Sequence, residues 1–182
     1  MTAAQAQRVF RHRTTYLLTS QAHQAALTLL TEAVVDAGTT AAVIGIAGGG
    51  RTPAEEIAAR LDVPVCHVEA RHNSSDALYT QATGTVAVSI PDGFPDALGG
   101  RILLVDDICG TGATFTAVTG ALGPRLARGA HVETVALCRN VGSPVRPDWW
   151  VWDVDDWVVF PWEPRPEIAV YPLPSPERIR TP

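Results

Sequence analysis

Two adjacent carboxylates, Asp106 and Asp107, stand between an apolar run, Ile102-Leu-Leu-Val105, and a stretch of small residues and hydroxyls, Cys109-Gly110-Thr111-Gly112-Ala113-Thr114. An apolar run of this kind fills a strand buried on both faces. Phe115-Thr-Ala-Val118 then reads as the start of a helix. A Gly/Thr loop feeding a helix N-terminus offers free N–H groups and the positive end of the helix dipole to a phosphate. Thr111 and Thr114 add hydroxyl donors, and the paired carboxylates one step earlier suit a sugar diol or a Mg²⁺ ion. Taken alone, Asp-Asp could simply end a strand and the glycines could simply turn the chain. The whole order, at the carboxyl end of a strand where open sheets bind ligands, implies a site for a phosphorylated sugar.

A second cluster, Gly48-Gly49-Gly50-Arg51, follows another apolar run, Ala41-Ala-Val-Ile-Gly-Ile46. It precedes a helix expected to run to about Leu61, with Thr52 and Glu55 as a capping box and Pro53 at the first helical position. Three glycines before a helix are a weak signal alone. Two such turns on strand–helix units put two anion-binding backbones at one edge of a sheet. Arg51 either adds charge for a departing anion or is a solvated helix-start arginine.

The remaining elements must hold these loops in place. Ser20–Ala37 has helical spacing with Gly38 as its stop. Val63–Val68, Thr85–Ile90 and His131–Cys138 read as strands, and 63–68 completes a strand–helix–strand unit that implies a parallel crossover. The central helix is expected to reach about Ala127, interrupted by Gly120, Gly123 and Pro124. Residues 71–84 are polar and aperiodic, a long loop. Residues 148–163 are rich in tryptophan, and the Pro-rich end is expected to be extended. Residues 1–19, with Arg8, Arg11 and Arg13 around Phe10 and Tyr16, are either an arm over a neighbour or a partly ordered tail.

The 182 residues, 46% hydrophobic and 18% charged, fit one domain with a real core. Net charge is −5 and every one of the 14 basic residues is arginine, with no basic run, so no nucleic-acid partner is expected. No apolar run suits a membrane span and the N-terminus lacks a signal h-region, which makes the expected location cytoplasmic. Cys66, Cys109 and Cys138 are too far apart for a zinc motif and odd in number for a disulfide set.

In its full order, segment 101–114 resembles the phosphoribosyl-pyrophosphate (PRPP) signature of type I phosphoribosyltransferases. Ile46-Ala-Gly-Gly-Gly-Arg-Thr-Pro-Ala54, Val132-Glu-Thr-Val-Ala-Leu-Cys-Arg139 and Asp156-Trp-Val-Val-Phe-Pro-Trp-Glu163 are similar in order and spacing to the guanine/xanthine/hypoxanthine members. The resemblance covers residues 41–163. It implies an α/β type I fold, a mostly parallel twisted sheet flanked by helices with a small C-terminal aromatic hood. A single domain would span 1–182, with an arm at 1–19 and the hood and tail at 140–182. The implied activity is Mg²⁺-dependent transfer of the 5-phosphoribosyl group from PRPP to a nitrogen of a nucleobase, first a 6-oxopurine, releasing pyrophosphate. A homodimer or higher homo-oligomer is expected.

Residue by residue, the resemblance assigns PRPP to Gly48, Gly49, Gly50 and Arg51, and to Asp106, Asp107, Cys109, Gly110, Thr111, Gly112, Ala113 and Thr114. Asp106 and Asp107 would hold Mg²⁺ directly or through water and, with Tyr79, Ser74 and Ser75, form the catalytic set. Residues 71–84 resemble the flap that closes over the reaction centre. Arg139 corresponds to the cation on the purine 6-oxo group, usually lysine in the family; a surface salt bridge, for example with Asp153, is the plainer fate of such a residue. Trp157 corresponds to the aromatic that stacks on the base, and the Val158 backbone to its neighbour at the edge near C2. A non-proline cis peptide at Gly48–Gly49 or a neighbouring bond is also implied. Stacking on a face like that of Trp157 is worth about 1–3 kcal/mol per base, though core packing is an equally ordinary fate for a tryptophan.

One position departs from the pattern. The oxopurine enzymes usually carry an acid where this chain has Gly110, and glycine cannot take a proton. A pyrimidine or other non-purine acceptor, or a PRPP-sensing domain without catalysis, are the other readings.

Overall fold

The computed structural model describes residues 6–71, 78–81 and 85–182. In chain order the elements are β1 (Thr15–Leu17), α1 (Ser20–Asp36), β2 (Ala42–Ala47), α2 (Arg51–Leu61), β3 (Val65–Arg71) and β4 (Ala87–Ser89). They continue with β5 (Arg101–Cys109), α3 (Ala113–Leu122), β6 (His131–Asn140), β7 (Trp149–Val154), β8 (Trp157–Val159) and β9 (Tyr171–Pro172). A 3-10 turn at Gly123–Arg125 follows α3. There is thus no continuous helix to Ala127.

The main sheet has the order β4-β3-β2-β5-β6-β7, with every neighbouring pair parallel except the antiparallel β3–β4 edge. A smaller parallel sheet, β8-β1-β9, forms the hood. This is the mostly parallel α/β architecture of type I phosphoribosyltransferases.

Alternation along the central strands explains their unbroken apolar runs. Val43, Leu103 and Val105 pack on one face with Ala26, Leu27 and Leu30 of α1 and Ile57 of α2. Ile44, Ile102 and Leu104 pack on the other with Phe115, Val118 and Leu122 of α3. Each such side chain contributes about 1.5–3 kcal/mol by leaving water. The helices therefore clamp the sheet from both sides, and β2 and β5 end in fixed positions.

Helix α1 starts where Thr19 accepts a hydrogen bond from the Ala22 N–H at 3.1 Å, and it stops before Gly38, whose φ is +134°. Helix α2 begins two residues earlier than its capping box implies. Gly50 already has helical geometry at the N-cap, so no side-chain cap forms. No cis peptide bond occurs among the described residues; the first glycine turn instead uses Gly48 at φ +100°.

The described part of the N-terminal segment is not a loose tail. From residue 6 it lies on its own chain, and β1 fills the centre of the hood between β8 and β9. The Val9 N–H donates to Asn140 Oδ1 at 2.7 Å, and Asn140 Nδ2 donates to the Val9 carbonyl at 2.9 Å. The His12 N–H donates to Asp156 Oδ2 at 2.9 Å. Among the described residues, no helix is long and apolar enough to cross a membrane.

Candidate active site

The strand order reverses direction between β2 and β5: β3 and β4 lie outward of β2, and β6 and β7 outward of β5. Such a switch point opens a crevice at the carboxyl ends of the strands. Gly45 pairs with Val105 there, which sets the turn after β2 beside Asp106 and Asp107. Strand β5 runs on to Cys109, so both aspartates lie within it rather than after its end. The result is a cleft of about 630 Å³.

The turn after β2 is pressed against β5. A β-carbon on Gly50 would stand 2.5 Å from the Val105 carbonyl oxygen, and one on Gly49 would stand 1.7 Å from Asp107 Oδ2. Only glycine permits this approach. The second turn enters α3 through Gly112 at φ +83°, where a β-carbon would also strike Val145 at 2.3 Å. The Ala113 N–H bonds to Thr111 Oγ1 at 3.4 Å. Gly48, Gly49, Cys109, Gly110, Thr111, Gly112 and Thr114 all face the cleft, as do Asp106 and Asp107. Gly50 and Ala113 lie behind them as the first supports of the two helices.

Electrostatically the floor of the cleft is acidic. Removal from water pushes Asp106 well above the usual carboxylate range, and the Asp107 charge pushes it further. The same desolvation, with the Glu163 charge, raises Asp107 to about 7, while Arg8 acts in the opposite direction. Two half-buried oxygen-donor side chains that repel one another fit a divalent cation that also binds substrate phosphates. Burial raises the thiols of Cys109 and Cys138, so both stay protonated and neither is an activated nucleophile.

Trp157 and Val158 line the opposite wall, together with Phe160 and Glu163. The Trp157 ring is not bare. The Arg8 guanidinium carbon lies over it at 4.9 Å from the centroid, with the Phe10 and Tyr79 rings each 6.1 Å away.

Several expected residues stand elsewhere. Arg139 is not in the cleft: its guanidinium donates to the Ser143 carbonyl at 2.8 Å and the Val145 carbonyl at 3.3 Å, and pairs with Asp153 at 3.1 Å. It lines a separate groove beside Trp150. These partners hold the guanidinium beside Trp150, 5.8 Å from its ring centroid. Arg51 is an exposed residue of the α2 start, 3.7 Å from Glu55, and does not line the cleft. Tyr79 is a prop for the arm, its hydroxyl donating to the Arg13 carbonyl at 2.6 Å and lying 2.7 Å from Thr15 Oγ1. Ser74 and Ser75 lie outside the described residues.

The cleft also contains Arg8, Glu69, Arg71, Phe160 and Glu163, which the motifs did not single out. The Arg8/Phe10 pairing near the N-terminus was the one available signal for the first of them.

A family model described as the phosphoribosyl transferase domain matches residues 14–168. Among solved structures, the chain resembles a purine phosphoribosyltransferase from Pyrococcus horikoshii, with TM-score 0.70 and 25% identity over 85% of this chain and 98% of the other. It shares its fold with a Helicobacter pylori xanthine-guanine-hypoxanthine phosphoribosyltransferase, with TM-score 0.64 and 21% identity over 82% and 94% of the two chains. A hypothetical protein from Neisseria gonorrhoeae with bound ppGpp has the same fold, with TM-score 0.64 and 23% identity over 85% and 92%. No curated protein matches the chain in sequence.

Proposed function

The chain belongs to the phosphoribosyl transferase family and is a phosphoribosyltransferase, and on that premise we propose that it joins PRPP to a ring nitrogen of a 6-oxopurine with release of pyrophosphate. The observation that carries this reading is the meeting of two glycine turns and an Asp-Asp pair at one switch point, with an aromatic wall opposite. A ligand with a phosphate at one end and a pyrophosphate at the other, separated by a ribose, suits two anion-binding turns flanking two carboxylates. The similarity to the Pyrococcus purine enzyme supports a purine acceptor.

Each group then has a role. The N–H groups around Gly110–Thr114 hold the 5-phosphate, and those of Gly48 and Gly49 meet the pyrophosphate. Asp106 and Asp107 hold the ribose hydroxyls and would hold Mg²⁺, which when bound neutralises charge on the leaving pyrophosphate. The acceptor nitrogen forms its bond to the anomeric carbon while the bond from that carbon to the pyrophosphate oxygen breaks, the electron pair leaving with pyrophosphate and the ring N–H proton of the heterocycle passing to water. Backbone N–H groups aimed at the departing oxygens supply stabilisation where negative charge grows. Trp157 and Val158 fix the plane of the base, which holds the nitrogen in line for attack.

The test is pyrophosphate release from PRPP and Mg²⁺ over a panel of hypoxanthine, guanine, xanthine, adenine, uracil and orotate. Turnover fastest with an oxopurine supports the reading. Turnover confined to a pyrimidine would transfer the same chemistry to the smaller ring, and PRPP binding without turnover on any base would sink it.

A further inference from the structure

Arg8 comes from the N-terminal arm, yet its side chain reaches the acceptor wall of the cleft. It sits over the Trp157 ring and 5.3 Å from the Phe10 centroid. Its Nε is fully buried without a hydrogen-bond partner, and the negative charges it feels are those of Asp107 and Glu163. A guanidinium carries five N–H donors and no acceptor. One that rests on aromatic faces keeps its in-plane donors for another molecule. A buried donor left unpaired is costly, so an oxygen acceptor belongs there.

The chain holds this arginine in place with dedicated groups. The arm backbone just after it is gripped at Val9 by Asn140 and at His12 by Asp156, both 0% exposed. The Arg8 N–H donates to Gln81 Oε1 at 2.9 Å and the Arg8 carbonyl accepts from Gln81 Nε2 at 2.7 Å. Gly142 lacks a β-carbon where one would stand 2.6 Å from the Gln7 carbonyl oxygen. Lifting the arm would strand buried polar groups, which argues for a fixed wall rather than a detachable strap. Gly110 makes the room: a β-carbon there would come within 3.1 Å of Arg8 Cδ. The strand-end cation, Arg139, is spent on Asp153 and two carbonyls outside the cleft. Arg71, the other arginine lining the cleft, is exposed at the end of β3.

We propose that Arg8 is the residue that selects the acceptor, donating to an oxo oxygen on the ring edge of the heterocycle at the Trp157 wall, so that oxo-bearing bases are taken and bases presenting an amino group there are refused. This rests on the reading of the cleft as a phosphoribosyltransferase acceptor site. An oxo oxygen accepts from a guanidinium, whereas an exocyclic amine meets it donor to donor and leaves both unpaired. A site built to pair a polar group discriminates far more strongly than one that only senses shape.

The experiment measures pyrophosphate release with paired probes, hypoxanthine against adenine and uracil against cytosine, in the full chain and its Arg8→Gln and Arg8→Lys variants. PRPP affinity is measured separately by calorimetry with Mg²⁺. Expected is an acceptor KM raised about 10–100-fold in Arg8→Gln, with PRPP affinity within about threefold of the parent. Partial rescue by Arg8→Lys and a narrowed oxo-over-amino preference in Arg8→Gln are also expected. The proposal is overturned if Arg8→Gln leaves the preference intact, if it raises turnover by unblocking the cleft, or if Arg139→Gln carries the loss instead. Absence of PRPP binding in the parent chain would instead remove the underlying phosphoribosyltransferase reading, a separate and distinguishable result.

Discussion

Gly49 lies so close to Asp107 that a β-carbon would stand 1.7 Å from Oδ2 and 2.2 Å from Cγ. The first turn therefore dictates which way the second carboxylate points. Gly49→Ala should rotate the Asp107 carboxylate out of place while leaving the apolar core intact. PRPP affinity is expected to fall by about tenfold or more, equivalent to about 1.4 kcal/mol, with a melting temperature close to that of the parent. Calorimetry beside a thermal scan checks both.

Replacing both carboxylates separates ligand binding from stability in the opposite sense. Asp106 and Asp107 are held above the usual carboxylate range by burial and by neighbouring negative charge. Their charged forms thus cost the protein stability at high pH, and for Asp107 this cost is relieved as pH falls from about 7 toward its ordinary 3.8. Asp106→Asn with Asp107→Asn should abolish PRPP binding and leave the melting temperature at pH 8 equal or higher. A large fall in that temperature would mean the pair is structural.

The parts of the site that lie close together in the chain were the legible ones. The apolar run of β5, its acidic pair and the glycine turn into α3 fall within Arg101–Leu122, and local pattern suffices for such segments. Arm residues were not legible, because Val9 meets Asn140 across 131 positions and His12 meets Asp156 across 144. These are single side-chain bonds to backbone, which leave no periodicity. Arg139 was misplaced for a subtler reason. Its guanidinium turns to Asp153 and to two carbonyls of the segment after β6, the plain salt-bridge alternative to a base contact. The capping box at Thr52 and Glu55 failed because Gly50, already helical, supplied the helix start.

Away from the cleft, Glu133 anchors one end of the sheet. It accepts from Arg101 at 2.7 Å, from Trp149 Nε1 at 2.7 Å and lies 3.0 Å from His131 Nε2. The Arg101 bond is the main cause that lowers its pKa to about 2, against an ordinary 4.5. Because the folded value is the lower one, this stabilisation is complete above about 4.5 and is lost as pH falls toward 2. The carboxylate keeps some solvent, so the contribution is roughly 1–2 kcal/mol rather than the full equivalent of the shift. Glu133→Gln should lower the melting temperature at pH 7 and flatten its decline between pH 5 and pH 2. An unchanged acid limb would reject this assignment.

Trp157 lines the cleft but also carries Arg8, Phe10 and Tyr79 around its ring. Trp157→Ala is expected to weaken the acceptor by about 1–3 kcal/mol from lost stacking, with PRPP affinity nearly unchanged. Equal losses for both ligands would point to collapse of the hood.

Asn140 is the test of whether the arm is part of the site or merely rests on it. Its Oδ1 accepts from the N–H groups of Val9 and Gly142, and its Nδ2 donates to the Val9 carbonyl. Asn140→Ala would leave three half-buried backbone groups without these partners, at about 1–3 kcal/mol for each group that finds no water. Melting temperature should drop, and limited proteolysis should cut near residues 6–14 sooner than in the parent. If the arm delivers Arg8 to the acceptor, the acceptor KM must rise in parallel while PRPP affinity holds, because the two glycine turns lie on β2 and β5 and do not depend on Val9. A variant that is destabilised and clipped early, yet keeps its parental acceptor KM, would reduce the arm to a structural brace.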